Sequence, residues 1–210
     1  NPNGNWILSI CDDANNDVGN LRYVRLNFCT VPLITASSSN SPVCSNSALN
    51  LNVTATGTAP LSYAWTGTGT FSPGATSEDP SVTGAATGNY NIAVSNTCGS
   101  TNTNVAVTVT TAPSATISYG GLPYCQSAST VNVVRTGTAG GGYTAAPGGL
   151  ALDASTGAVN LATSTTGTYT VTYTIAAAGG CPIFTTTANI TINAAPTRYQ
   201  DSDADGFGDP

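Results

Sequence analysis

Asp201, Asp203, Asp205 and Asp209 place carboxylates at alternate positions around Gly206. That is the pattern a hard cation such as calcium needs, since it gathers several oxygens from one short loop that glycine lets turn sharply. Six cysteines are the other residues with chemistry to offer: Cys11, Cys29, Cys44, Cys98, Cys125 and Cys181. Cys44 and Cys98 bracket one segment, and Cys125 and Cys181 bracket another of nearly equal length. Paired cysteines at repeated spacing read as a disulfide framework in an oxidising compartment.

The same inventory removes most catalytic chemistry. The sequence holds no His, and its four basic residues are Arg22, Arg25, Arg135 and Arg198, so there is no Lys. A Ser-His or Ser-Lys nucleophile, a His zinc site and a Schiff-base lysine are therefore excluded for this segment. Glu78 and Asp79 are neighbours in a Pro-flanked loop, where adjacent side chains do not flank a substrate as an acid/base pair. They read as a solvated turn, and Asp153 before Ala154-Ser155-Thr156-Gly157 reads as a hairpin turn. Asp13, Asn15 and Asp17 share the alternate spacing, but Val18 stands where a sharp turn needs glycine, which favours a capped turn over a metal site. The chain is thus expected not to be an enzyme.

Charge narrows the partners. Net charge is −6 with 7% charged residues, so Thr, Ser and Asn must wet the surface. Four scattered arginines cannot neutralise a run of phosphates or an anionic bilayer, so neither nucleic acid nor membrane is an expected partner. No long apolar segment is present to cross a membrane.

The elements that must position these residues are strands. Trp6, Leu8 and Ile10, then Val24, Leu26 and Phe28, alternate with polar neighbours and predict two strands joined by a turn-rich loop. A hairpin would bring Cys11 near Cys29, and being marginal alone it would have to complete another sheet. Leu49, Leu51, Val53 and Ala55 alternate with Asn50, Asn52, Thr54 and Thr56, the pattern of a half-buried strand. Ser62–Thr66, Tyr90–Val94 and Val105–Val109 read the same way, with Trp65 and Tyr90 on apolar faces. After Pro113 the pattern returns in Ile117 and Tyr119, Val131 and Val133, Tyr169–Ile175 and Ala188–Ile192, a period of about 80 residues. Gly140, Gly141 and Gly142 read as a flexible loop. Asn52-Val-Thr54 and Asn189-Ile-Thr191 match the N-glycosylation pattern but fall inside predicted strands.

Both repeats resemble the immunoglobulin-like repeats of large secreted bacterial surface proteins, with a Cys near the first strand and a Cys after a Gly-x-Tyr strand. That resemblance implies Cys44–Cys98 and Cys125–Cys181 brackets. Tyr90, however, does not stand two residues before Cys98, as an immunoglobulin pin requires, and in that topology the bracketing cysteines would lie at opposite ends. Either the topology or the pairing must then differ. Trp6, Asp17, Gly19, Leu26 and Phe28 resemble the closing strands of the P domain that follows subtilisin-like proteases. The 201–209 run resembles a thrombospondin type 3 or dockerin-type repeat, in which Phe207 would add its backbone carbonyl.

The expected fold class is all-β: tandem immunoglobulin-like β-sandwiches preceded by a β-hairpin and followed by a calcium-type loop. The expected divisions are 1–31 for the P-like strands, 32–112 and 113–195 for the two sandwiches, and 196–210 for the start of a calcium repeat. Calcium is the expected cofactor, held by Asp201, Asp203, Asp205, Phe207 and Asp209. The expected role is a non-catalytic structural or adhesive segment of an extracellular or cell-surface stalk or filament, able to assemble by strand addition. Its partners would be other copies or modules of the same protein, surface glycans or cell-surface proteins. An accessory region of a secreted hydrolase and a carbohydrate-binding module are the alternatives.

Overall fold

The computed structural model describes Ile7 and residues 28–121, 123–126 and 129–196, and every regular element among them is a strand. In chain order these are β1 (Leu33–Ser39), β2 (Val43–Cys44), β3 (Leu49–Thr56), β4 (Ser62–Thr66), β5 (Thr70–Ser72), β6 (Ser81–Thr83), β7 (Gly88–Asn96) and β8 (Gly99–Val107). There follow β9 (Val109–Thr110), β10 (Ala115–Ser118), β11 (Tyr124–Cys125), β12 (Thr130–Val131), β13 (Val134–Gly137), β14 (Gly142–Ala146), β15 (Val159–Asn160), β16 (Gly167–Ile175) and β17 (Phe184–Asn193). They gather into two compact units. The first takes Asn50–Val82, Gly88–Ala106 and the described residues before Asn40; the second takes Asn40–Leu49, Thr83–Thr87 and the described residues from Val107 onward. The expected hairpin strands before Phe28 and the 201–209 run lie outside the described residues.

In the first unit, alternation along β3 turns Leu51 and Val53 inward and leaves Asn52 and Thr54 exposed. Strand order β1-β3-β6-β5 forms one sheet and β4-β7-β8 the other. Trp65, Ile92 and Val94 face inward from the second sheet, and Ile92 and Val94 are fully buried. Burying each such aliphatic side chain stabilises the fold by roughly 1.5–3 kcal/mol. Tyr90 lies in the same core, its ring 6.4 Å from that of Phe71 and its hydroxyl donating to the Thr68 carbonyl at 2.6 Å. That bond lets a phenol enter a dry interior without an orphaned polar atom.

The second unit is organised by β16 and β17, antiparallel from Gly167↔Ile192 to Ile175↔Phe184. Tyr169, Val171 and Tyr173 point inward beside Ile190 and Ile192, while the Thr168 and Thr191 hydroxyls meet outside at 3.0 Å. The sheet runs β11-β17-β16-β14, with β10-β13 and β12-β15 as smaller pairs. Gly141 belongs to this framework instead of a flexible loop. Its N–H donates to the Tyr173 hydroxyl at 2.9 Å, and a Cβ there would collide with the Thr174 carbonyl.

Both repeats end alike, with a two-residue strand carrying a cysteine in parallel beside the last strand of its repeat. Cys44 pairs with Thr110 on β9, and Cys125 with Asn193 on β17. This decides the cysteine pairing and corrects the bracketed one. Cys98 sits in the turn before β8, whereas Cys44 is registered beyond the far end of that strand. Nine residues of strand span ~30 Å, while a disulfide tolerates no more than ~7 Å between Cα atoms. Cys181 and Cys125 are separated by the length of β17 in the same way. Instead Cys29 bonds Cys98 with Cα atoms 5.8 Å apart, and Cys44 bonds Cys181 at 4.5 Å. Cys125 is an exposed free thiol, so it forms no bracket with Cys181. Cys29 is likewise not joined to Cys11, which lies outside the described residues.

Candidate functional site

The outward face of the β4-β7-β8 sheet carries a concavity whose lining residues all belong to the first unit. Its position follows from the same alternation that builds the core: turning Trp65, Ile92 and Val94 inward turns Ala64, Thr66, Asn91 and Ala93 outward. Register sets Thr66 opposite Asn91 and Ala64 opposite Ala93. On the neighbouring β8, Asn102 and Asn104 stand outward in turn. The result is an open trough of about 600 Å³. Two alanines form a floor low enough for a ligand to approach the backbone, and three amides and a hydroxyl rise around it. No ionisable side chain lines it. Each amide offers both a donor and an acceptor, so the trough suits an uncharged ligand rich in hydroxyls or peptide groups.

On the face of β4 turned away from the trough, the Glu78-Asp79 loop is tied to the core. The Tyr63 hydroxyl donates to Glu78 Oε1 at 3.0 Å, the Trp65 indole N–H donates to the Glu78 carbonyl at 3.1 Å, and the Val53 N–H donates to Asp79 Oδ1 at 3.0 Å. Desolvation raises the Tyr63 phenol above its ordinary range, reinforced by the hydrogen bond to Glu78 and the negative charges of Glu78 and Asp79. The Glu78 and Asp79 carboxylates therefore anchor a loop. Asp153 is the expected turn: the Thr156 and Ser155 N–H groups donate to its Oδ1 at 2.9 and 2.8 Å, which lowers its pKa. Of the three aromatic residues whose rings could stack on a sugar, Tyr63, Trp65 and Tyr90, the last two are core residues with 3% and 1% exposure, and Tyr63 is half-buried with its hydroxyl on Glu78. No aromatic ring lines the trough.

Burial in the second unit raises the Tyr119 phenol to about 12, and its hydroxyl donates to the Gly157 carbonyl at 2.7 Å. Among the described residues no cluster of His, Cys, Asp or Glu is arranged to hold a metal. The calcium-type residues Asp201, Asp203, Asp205, Phe207 and Asp209, and Asp13, Asn15 and Asp17, lie outside the described residues. Sequence reasoning did not find the trough, because outward Asn, Thr and Ala look like any solvated face. The signal it offered was Asn102 and Asn104 at i, i+2, which line the trough with Asn91.

Two disulfides and sheet-built units define the class: an all-β chain of tandem immunoglobulin-like β-sandwiches, stapled as proteins of oxidising compartments are. A solved structure agrees in fold. The N-terminal eight immunoglobulin domains of Down syndrome cell adhesion molecule isoform 1.30.30 match with TM-score 0.50 at 16% identity, over 79% of this chain and 25% of that one. The titin I-band fragment I67–I69 matches with TM-score 0.47 at 12% identity, over 78% and 66%. Extracellular domains 3–5 of Drosophila OTK match with TM-score 0.48 at 13% identity, over 80% and 63%. The chain spans a quarter of the length of the first of these, and at such identities the likeness establishes fold alone. No protein-family model and no curated protein matches the sequence. Among the described residues no helix is long and apolar enough to cross a membrane.

Proposed function

We propose that this chain is a non-catalytic structural or adhesive segment of an extracellular stalk or filament. The observation that carries the reading is the pair of disulfides, Cys29–Cys98 and Cys44–Cys181, stapling sandwiches whose outer faces present Thr, Asn and Ser. Such a framework supports a module that must persist outside a cell, and the described carboxylates serve turns and loop anchors instead of a reaction. The residues before Phe28 supply strands for another copy or module, and the 201–209 run takes calcium. Analytical ultracentrifugation with electron microscopy of the full chain tests assembly. Concentration-dependent end-to-end oligomers support it, and a strictly monomeric species at all concentrations removes it. Isothermal titration of the full chain with calcium tests the ion separately, and absence of heat at millimolar calcium removes that part.

The trough favours a second reading, adhesion to an uncharged glycan through Asn91, Asn102 and Asn104. A glycan array carrying neutral sugars tests it. Hits lost in the N102A/N104A variant support it, and an array without hits removes it.

A further inference from the structure

We propose that the disulfide pairing gives the chain a further function, that of a tether whose length under tension is capped by a covalent shortcut. The inference concerns how the stalk proposed above would carry load, but the cap itself depends only on which cysteines are joined. The two bonds close loops of 69 and 137 residues that overlap, since Cys44 lies inside the first loop and Cys98 inside the second. Tension entering before Cys29 and leaving after Cys181 follows the shortest covalent route. That route runs along the chain from Cys29 to Cys44 and crosses directly to Cys181.

The lengths decide the consequence. Without crosslinks, the chain from Cys29 to Cys181 would pull out to ~530 Å at ~3.5 Å per residue. Through the Cys44–Cys181 bond the same two points part by only ~50 Å. Under load β1, which lies on that route, peels from β3, after which the backbone of the route is taut. Everything from β3 to β16 then hangs as a loop that bears no tension, including the trough-bearing sheet β4-β7-β8. A binding face on that loop would keep its shape while the tether is loaded.

The two bonds are not equivalent, which makes the idea sharp. Opening Cys29–Cys98 alone leaves the ~50 Å route untouched. Opening Cys44–Cys181 alone diverts the route across Cys29–Cys98 and along the chain from Cys98, lengthening it to ~290 Å. Opening both restores the full ~530 Å. Dithiothreitol does this chemically: for each disulfide its two thiols give two electrons and two protons and close to a cyclic disulfide, leaving two cysteine thiols.

Optical-tweezers stretching of the full chain, with handles fused at both ends, reads these lengths at forces high enough to unfold every strand. Contour length at these forces depends only on which cysteines are joined, and peptide mapping of each unreduced variant identifies the bond that remains, which separates a mispaired chain from the expected one. The expected outcome is no change for C29S/C98S and a gain of ~240 Å for C44S/C181S. A further gain of ~240 Å is expected when all four are replaced, or when the wild-type chain is held in dithiothreitol. A wild-type chain that reaches full length without reductant, or a C29S/C98S variant that lengthens, overturns the proposal. Either result leaves the stalk reading to its own assembly test, since a stalk can be built without a length cap.

Discussion

Replacing Cys29 and Cys98 by Ser should destabilise the first unit by an amount the structure bounds from both sides. The bond closes a loop of 69 residues. Removing that constraint from the unfolded chain costs ~4 kcal/mol in the entropy model. Noncovalent contacts hold the same segment in place and reduce the loss. The Asn96 side-chain amide donates to the carbonyls of Thr30 and Thr58 at 2.8 and 2.9 Å, and the Thr30 N–H donates to the Thr58 hydroxyl at 2.9 Å. At ~1 kcal/mol each these bonds keep Thr30 docked when the sulfurs are gone. The expected cost is therefore ~2–4 kcal/mol. Trp65, buried in that unit, reports its unfolding by fluorescence once Trp6 is replaced by Phe. With a urea slope of ~2 kcal/mol/M, the midpoint should fall by ~1–2 M. An unchanged midpoint would refute the reasoning, because it would mean that the bond constrains nothing the unfolded chain could otherwise explore.

Ile92→Ala, at a fully buried position, should cost ~2–5 kcal/mol in the same fluorescence assay. Gly137→Ala should destabilise the second unit by ~2 kcal/mol or more, because φ is +82° and its new Cβ would meet the Ser114 carbonyl. Gly84→Ala, at φ +65° with open space around it, should cost ~1 kcal/mol. Similar losses in these two glycine variants, measured by calorimetry, would discredit the close approach at Gly137. The neutral Tyr119 phenol is favoured in the folded state, its pKa being raised from 10.0 to about 12. Its contribution is complete below the unfolded value and fades as pH climbs through the folded one. Stability should thus fall more steeply with pH across that window in wild type than in Tyr119→Phe, and parallel curves would count against it. N102A/N104A should leave the unfolding free energy within ~0.5 kcal/mol of wild type while removing any glycan binding, as expected of an exposed face.

Where the strands run was written in period-two alternation, and how their ends meet was not. Leu49 to Ala55 and Ser62 to Thr66 were readable because each exchanges apolar and polar residues over enough positions to define a face. Tyr90 could be assigned to the core for the same reason. The two-residue strands β2, β9 and β11 carry no periodicity at all, and they fix the position of Cys44 and Cys125. Spacing therefore suggested brackets within each repeat, while parallel pairing put the bracketing cysteines at opposite ends. Val131 and Val133 suggested one strand, but the chain breaks between β12 and β13 and joins different partners on either side. The glycine run misled in a related way: Gly141 is needed where the backbone passes close to Tyr173, a tertiary contact that composition cannot display.

Among the described residues the one basic side chain, Arg135, lies within β13, with its guanidinium 5.8 Å from the centre of the Tyr173 ring and donating to the Gly137 carbonyl at 3.0 Å. Proteases that cut after arginine or lysine need a target they can draw out as an extended, unpaired segment, and this one is paired with β10 and clasped from its side chain. Cleavage there waits for the strand to detach, so digestion of the sandwiches by such enzymes runs at the pace of a local opening. A surface wetted by hydroxyls and amides in place of lysine is, by that route, also an armour.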